Sequence, residues 1–169
     1  HRAVAERIRQ QLDARVRAAE RHAARLQRWM NQPAPPQAEV RMHGIRFAVL
    51  RRFDAWPRLG ELHWGPQGAR ERVDPLEGAD DDGYVLWADD DAACETFDLD
   101  WEHLPEGLNV AAIVFARTLT AQRAVLGGDI DTGPPLVVLG DLSTAQLGVW
   151  GNTFFVGGTL RAAYIHGKY

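Results

Sequence analysis

The chain has 169 residues, 46% of them hydrophobic, and a formal net charge of −4. That much apolar content excludes a wholly disordered chain, yet no apolar run reaches the ~18 residues that a membrane-spanning helix needs. The single cysteine, Cys94, excludes an internal disulfide and a cysteine-rich zinc site. No charged-then-apolar leader opens the chain, so the cytoplasm is the expected compartment.

The net charge conceals an asymmetry. Residues 1–52 carry 12 arginines against four acids, +8. Residues 53–106 carry three arginines against 16 acids, −13, and the remainder is close to neutral at +1. Charge blocks of this kind mark partner surfaces or attract one another within a fold.

Residues 1–31 read as a basic amphipathic helix. Val4, Ile8, Leu12, Val16, Ala19, Ala23, Leu26 and Met30 recur at steps of four or three and form one stripe of an α-helix. Such a helix is expected to dock on its own domain or to pair with a copy of itself. With no interleaved aromatics and no groove-reading motif, it does not read as a nucleic-acid arm. Residues 32–38, with Pro33, Pro35 and Pro36, end the helix as a stiff linker.

Residues 39–106 read as an acidic α/β or β region. Val40–Phe53 and Tyr84–Trp87 are strand-like, and Phe97–Trp101 alternates apolar residues with Asp98 and Asp100. Two aspartate triplets flank the short strand at Trp87, Asp80-Asp81-Asp82 before it and Asp89-Asp90-Asp91 after it. Neither triplet has the alternate-position acids, central glycine and terminal glutamate of a calcium loop. A solvated carboxylate surface that attracts a basic partner is the better expectation.

Residues 108–169 carry a repeat. Ile113–Leu119, Leu136–Leu142 and Phe154–Leu160 superpose, each followed by small residues and a further apolar position. The expected inward columns are Phe115/Val138/Val156, Leu119/Leu142/Leu160 and Ala124/Leu147/Ile165. A period near 20 with glycines at the corners predicts a short β-solenoid (β-helix) of about three rungs, with an insertion at Gly128–Pro135. The predicted fold class is therefore mainly β, with an N-terminal α-helix and this C-terminal solenoid. An antiparallel sandwich is the competing arrangement.

The stretches "VVLGDLSTAQL" and "FFVGGTLRAAYI" resemble bacterial β-solenoid repeats of the bactofilin-like, polymer-forming type, and also solenoid-type toxin immunity proteins, over about residues 110–169. The resemblance implies either end-to-end assembly or inhibition of a toxin.

Chemistry is sparse. Ser143 lacks a nucleophile-elbow setting, and acidic neighbours dull Cys94. The histidines form no paired metal motif, and Gly127-Gly128 and Gly157-Gly158 lack phosphate-loop spacing. No catalytic residue, cofactor or metal is therefore assigned. An enzyme would need a scattered site drawn from residues such as His63, His103 and Cys94. The expected function is a protein-binding inhibitor, of the toxin-immunity type, that covers a basic partner surface with Asp80, Asp81, Asp82, Trp87, Asp89, Asp90 and Asp91. The alternative is a self-assembling structural protein that associates through the helix 3–31 or the open solenoid end. No membrane partner is expected.

Overall fold

Side-chain alternation sets the first strands. In the computed structural model, which describes residues 2–59, 63–64, 71–72, 75–76, 81–128 and 133–167, helix α1 (Arg2–Met30) leads through the proline linker into β1 (Glu39–Met42) and β2 (Ile45–Leu50). Val40, Met42, Ile45, Phe47 and Val49 point inward, while Arg41 and Arg46 point to solvent. The hairpin between them turns on two consecutive left-handed residues, His43 (φ 51°) and Gly44 (φ 80°). That is the turn whose twist matches the strands it joins, and a histidine in the first position is unusual.

After α2 (Arg52–Leu59) come a two-residue antiparallel pair, β3 (His63–Trp64) and β4 (Glu71–Arg72), and then four strand pairs. These are β5 (Tyr84–Ala88) with β6 (Ala92–Asp98), β7 (Val110–Phe115) with β8 (Leu119–Leu126), β9 (Leu136–Val138) with β10 (Leu142–Val149), and β11 (Phe154–Val156) with β12 (Leu160–Gly167). The first member of each pair joins a six-stranded sheet of order β1-β2-β5-β7-β9-β11, and the second joins a four-stranded sheet of order β12-β10-β8-β6. The smaller sheet is parallel throughout; the larger is parallel from β5 onward and antiparallel at β1, β2 and β5.

The main core lies between the sheets. Phe47, Phe97 and Phe115 meet there edge-on or tilted at 5.3–6.3 Å, joining strands of both layers. The outer face of the larger sheet is covered as well: Val85, Trp87, Ala112, Val114 and Val137 pack with Ala55 and Leu59 of α2. Burial on both faces explains why β7 and β9 read as unbroken apolar runs, Val-Ala-Ala-Ile-Val-Phe and Leu-Val-Val.

The expected β-solenoid, or β-helix, of about three rungs over 108–169 is not the architecture. The chain forms an α/β-like sandwich of two sheets, one mixed and one parallel, and both sheets begin inside residues 39–106. The repeat does place its stretches side by side, since Leu119 and Leu160 are both Cα partners of Leu142, and Ile113 and Phe154 of Leu136. What it could not convey is that each glycine- or aspartate-bearing corner is one three-residue crossing between two layers, and that an antiparallel hairpin completes the larger sheet. The third predicted column is also shifted. A register slip sets Ala124 opposite Gln146, and Leu147 opposite Val125 and Ile165.

The crossings stack closely. A Cβ on Gly157 would lie 2.6 Å from the Leu139 carbonyl oxygen, and one on Gly140 would lie 2.8 Å from that of Arg117, so glycine is required at both. At the far end, β11 and β12 are the outer strands of their sheets, and Leu160, Tyr164 and Ile165 of β12 are exposed.

Leu142 is fully buried between the layers. Leu142→Ala is expected to lower unfolding free energy by about 2–5 kcal/mol in a urea titration, and Leu142→Asp to prevent folding. A near-wild-type midpoint for Leu142→Asp would contradict the assignment of this strand to the core.

Candidate functional site

The two aspartate triplets have different fates. Asp80 lies outside the described residues. Asp81 is bound up within the fold, because Arg52, at the start of α2, is 0% exposed and a buried guanidinium needs a carboxylate and further acceptors. Arg52 Nη1 donates to Asp81 Oδ1 at 3.2 Å, Nη2 donates to the Leu76 carbonyl at 2.8 Å, and the group lies 4.8 Å above the Trp29 ring. Asp81 also accepts from Arg28 Nη2 at 2.7 Å and from Trp29 Nε1 at 3.4 Å, with Arg25 at 4.0 Å. Arg25 and Arg28 of the basic helix thus pair with Asp81 of the first triplet inside one molecule.

Gln32 completes this junction. Its Nε2 donates to the carbonyls of Asp82 and Gly83 at 3.1 and 3.0 Å, and its Oε1 accepts from the Arg52 backbone N–H at 3.0 Å. Asp82 itself is exposed.

Trp87 is not a surface residue. It is buried on the outer face of β5, its Nε1 donates to Asp89 Oδ1 at 2.7 Å, and Arg58 lies over its ring. Asp89, Asp90 and Asp91 form the three-residue crossing from β5 to β6 and all three are exposed. Asp91 Oδ1 accepts from the Thr118 N–H at 3.1 Å, just as Asp141 Oδ1 accepts from the Thr159 N–H at 2.8 Å one pair of crossings further on. Asp91 is therefore a corner residue, and Asp141, which sequence reasoning did not single out, is its counterpart. Asp90 makes no hydrogen bond or ion pair with the described residues.

Beside this crossing is an open recess of about 350 Å³. Glu39, Arg46 and Ala48 of the β1–β2 hairpin face Asp89, Asp90 and Asp91 across it. Four carboxylates meet one cation there, Arg46, which is 3.7 Å from Glu39. The recess therefore carries a local excess of negative charge.

A second polar group lies at the β1–β2 turn. His43 Nε2 is 2.8 Å from the Asp98 carbonyl oxygen and 3.2 Å from the Asp98 N–H, so its tautomer decides which of the two it bonds. His103 Nε2 is 3.5 Å from Asp98 Oδ2, and the two imidazoles meet edge-on at 5.4 Å. His43 is more than 50 positions from Asp98 and His103 in the sequence, and no local motif links it to them. His63 lies in β3, where only the backbone is described. Cys94 is half-buried in β6, and burial pushes its thiol pKa up, which lowers the thiolate fraction. Among the described residues no group of three or more His, Cys, Asp or Glu side chains is arranged to hold a metal ion. None of the described helices is long and apolar enough to cross a membrane.

No protein-family model, curated protein or solved structure matches the chain.

Two expectations follow. Asp81→Asn removes the Arg52–Asp81 ion pair and should lower stability by about 1–3 kcal/mol, whereas Asp90→Asn should stay within about 0.5 kcal/mol of wild type. Equal urea midpoints for the two variants would contradict the separation of roles. Cys94 should react with iodoacetamide at pH 8 more slowly in the folded protein than in urea, and equal rates would remove its burial as the cause.

Proposed function

We propose that this is a protein-binding protein rather than an enzyme, and that the face centred on Asp90 receives a basic surface of another protein. The role is inhibition of the toxin-immunity type, exercised in the cytoplasm. The observation that carries the reading is the recess at the β5–β6 crossing, where Glu39, Asp89, Asp90 and Asp91 outnumber Arg46 and Asp90 projects freely among the described residues. Concentrated carboxylate accelerates encounter with a cationic surface and excludes acidic partners.

The reading is narrower than the set of seven residues suggested by sequence. Asp81 is engaged by Arg28 and Arg52, and Trp87 is buried, so neither supports a contact role. Asp91 contributes charge while holding a corner. A rigid crossing suits recognition, since its backbone loses little freedom when a partner docks.

The test is co-expression with the product of the neighbouring reading frame. Wild-type chain is expected to restore growth that the neighbour suppresses, and to form a 1:1 complex that weakens as salt is raised from about 0.05 to 0.5 M. Asp90→Arg should weaken that complex about tenfold or more with folding intact. No growth suppression by the neighbour, no rescue, or an Asp90→Arg complex as tight as wild type would each sink the reading.

A further inference from the structure

Among the described residues, helix α1 is held by its own molecule at its C-terminal turns. Trp29 is buried, His22 meets Trp56 at 6.1 Å, and Arg25 and Arg28 reach Asp81. These contacts lie on one side of the helix. The apolar stripe is centred about a third of a turn away from it, at 100° per residue. Val4, Ile8, Leu12 and Val16 are each more than half exposed, and Met30 is half exposed even where the helix docks. A 29-residue helix with an uncovered aliphatic stripe along its length is built to be covered.

The sequence of the stripe identifies the occupant. From Leu12 onward the apolar positions Leu12, Val16, Ala19, Ala23, Leu26 and Met30 alternate steps of four and three, the 3.5-residue repeat of a two-helix seam. Toward the N-terminus the steps become four throughout, through Val4 and Ile8, which locally unwinds such a seam without breaking it. The residues beside the seam carry opposite charge on its two flanks. Asp13 and Glu20 lie on one flank, Arg15 and His22 on the other.

We propose that α1 pairs in parallel, along this stripe, with α1 of a second copy of the chain. In a parallel pair each flank meets the opposite flank of the partner helix, and Arg15 of one copy then reaches Glu20 of the other, twice per dimer. In an antiparallel pair like flanks meet, which sets Asp13 against Glu20 and is repulsive. Because the body of each molecule docks about a third of a turn from the seam, the two-fold axis of the pair sets the two bodies on opposite sides of it. No residue of α1 lines the acidic recess, so pairing along the stripe does not use the Asp90 face.

Sedimentation equilibrium of the full chain from about 1 to 100 µM tests this. A concentration-dependent dimer is expected. Leu12→Glu, at a position exposed in the single chain, should leave circular dichroism of the body unchanged and raise the dissociation constant about a hundredfold or more. Arg15→Glu should weaken the dimer about fivefold, and adding Glu20→Arg to it should restore the loss. In a Cys94→Ala background, Leu12→Cys and Ala23→Cys should each form a self-disulfide, as a parallel in-register pair requires. A monomer at 100 µM, a dimer indifferent to Leu12→Glu, a charge swap that fails to restore, or cross-linking at only one of the two positions would overturn the proposal.

Discussion

Everything in the sandwich depends on how the chain passes from one sheet to the other in three residues, four times over. So short a crossing leaves no room for a helix, so consecutive strands must lie in opposite layers and alternate strands must pair in parallel. It also stacks the corners on one another. The Ala116 N–H donates to the Ala88 carbonyl, that of Leu139 to the Phe115 carbonyl, and that of Gly157 to the Val138 carbonyl, at 2.8–2.9 Å. Stacked corners leave backbone donors at the third position, and Asp91 and Asp141 accept from them. Glycine at 140 and 157 follows from the same closeness.

That constraint decides which acids are engaged within the fold and which are not. The middle of the chain is strongly acidic, but its carboxylates are not equivalent. Asp81 answers the charge of a buried arginine, Asp89 holds the Trp87 indole, and Asp91 closes a corner. Asp90 is left pointing outward from a backbone that its neighbours hold on both sides. A charge held in place by such a frame discriminates among partners better than one on a mobile loop, because little ordering is needed on binding.

How far this could be read from residues alone varies with the range of the interactions. Leu119, Leu142 and Leu160 could be aligned because the repeat is local and each leucine begins a strand of the same length. The partnership of Ala92 with Leu119 and of Phe97 with Val125 was hidden, since β6 carries Cys94 and Glu95 where its neighbours carry other residues. Ala124 was misaligned because a one-residue register slip leaves no mark in composition. The fate of Asp81 was illegible for a different reason. Nothing near Arg51-Arg52 distinguishes the arginine that is buried from the one that pairs with Asp54 at the surface. The α1 stripe was plain in the sequence, but whether its own domain covers it is a fact of three dimensions.

Under the proposed function, Asp89–Asp91 and Glu39 form the face that takes cationic side chains, while Asp81 is engaged by Arg28 and Arg52 of its own molecule. The most direct measurement is a titration of the isotopically labelled chain with a hexa-arginine peptide, followed by backbone amide chemical shifts. Saturable, salt-sensitive shifts are expected at Asp89–Ala93, Glu39 and Arg46, with the amides around Asp81, Arg28 and Arg52 unmoved. Shifts centred on Asp81 and α1, or no saturable shift at the β5–β6 crossing, would contradict it.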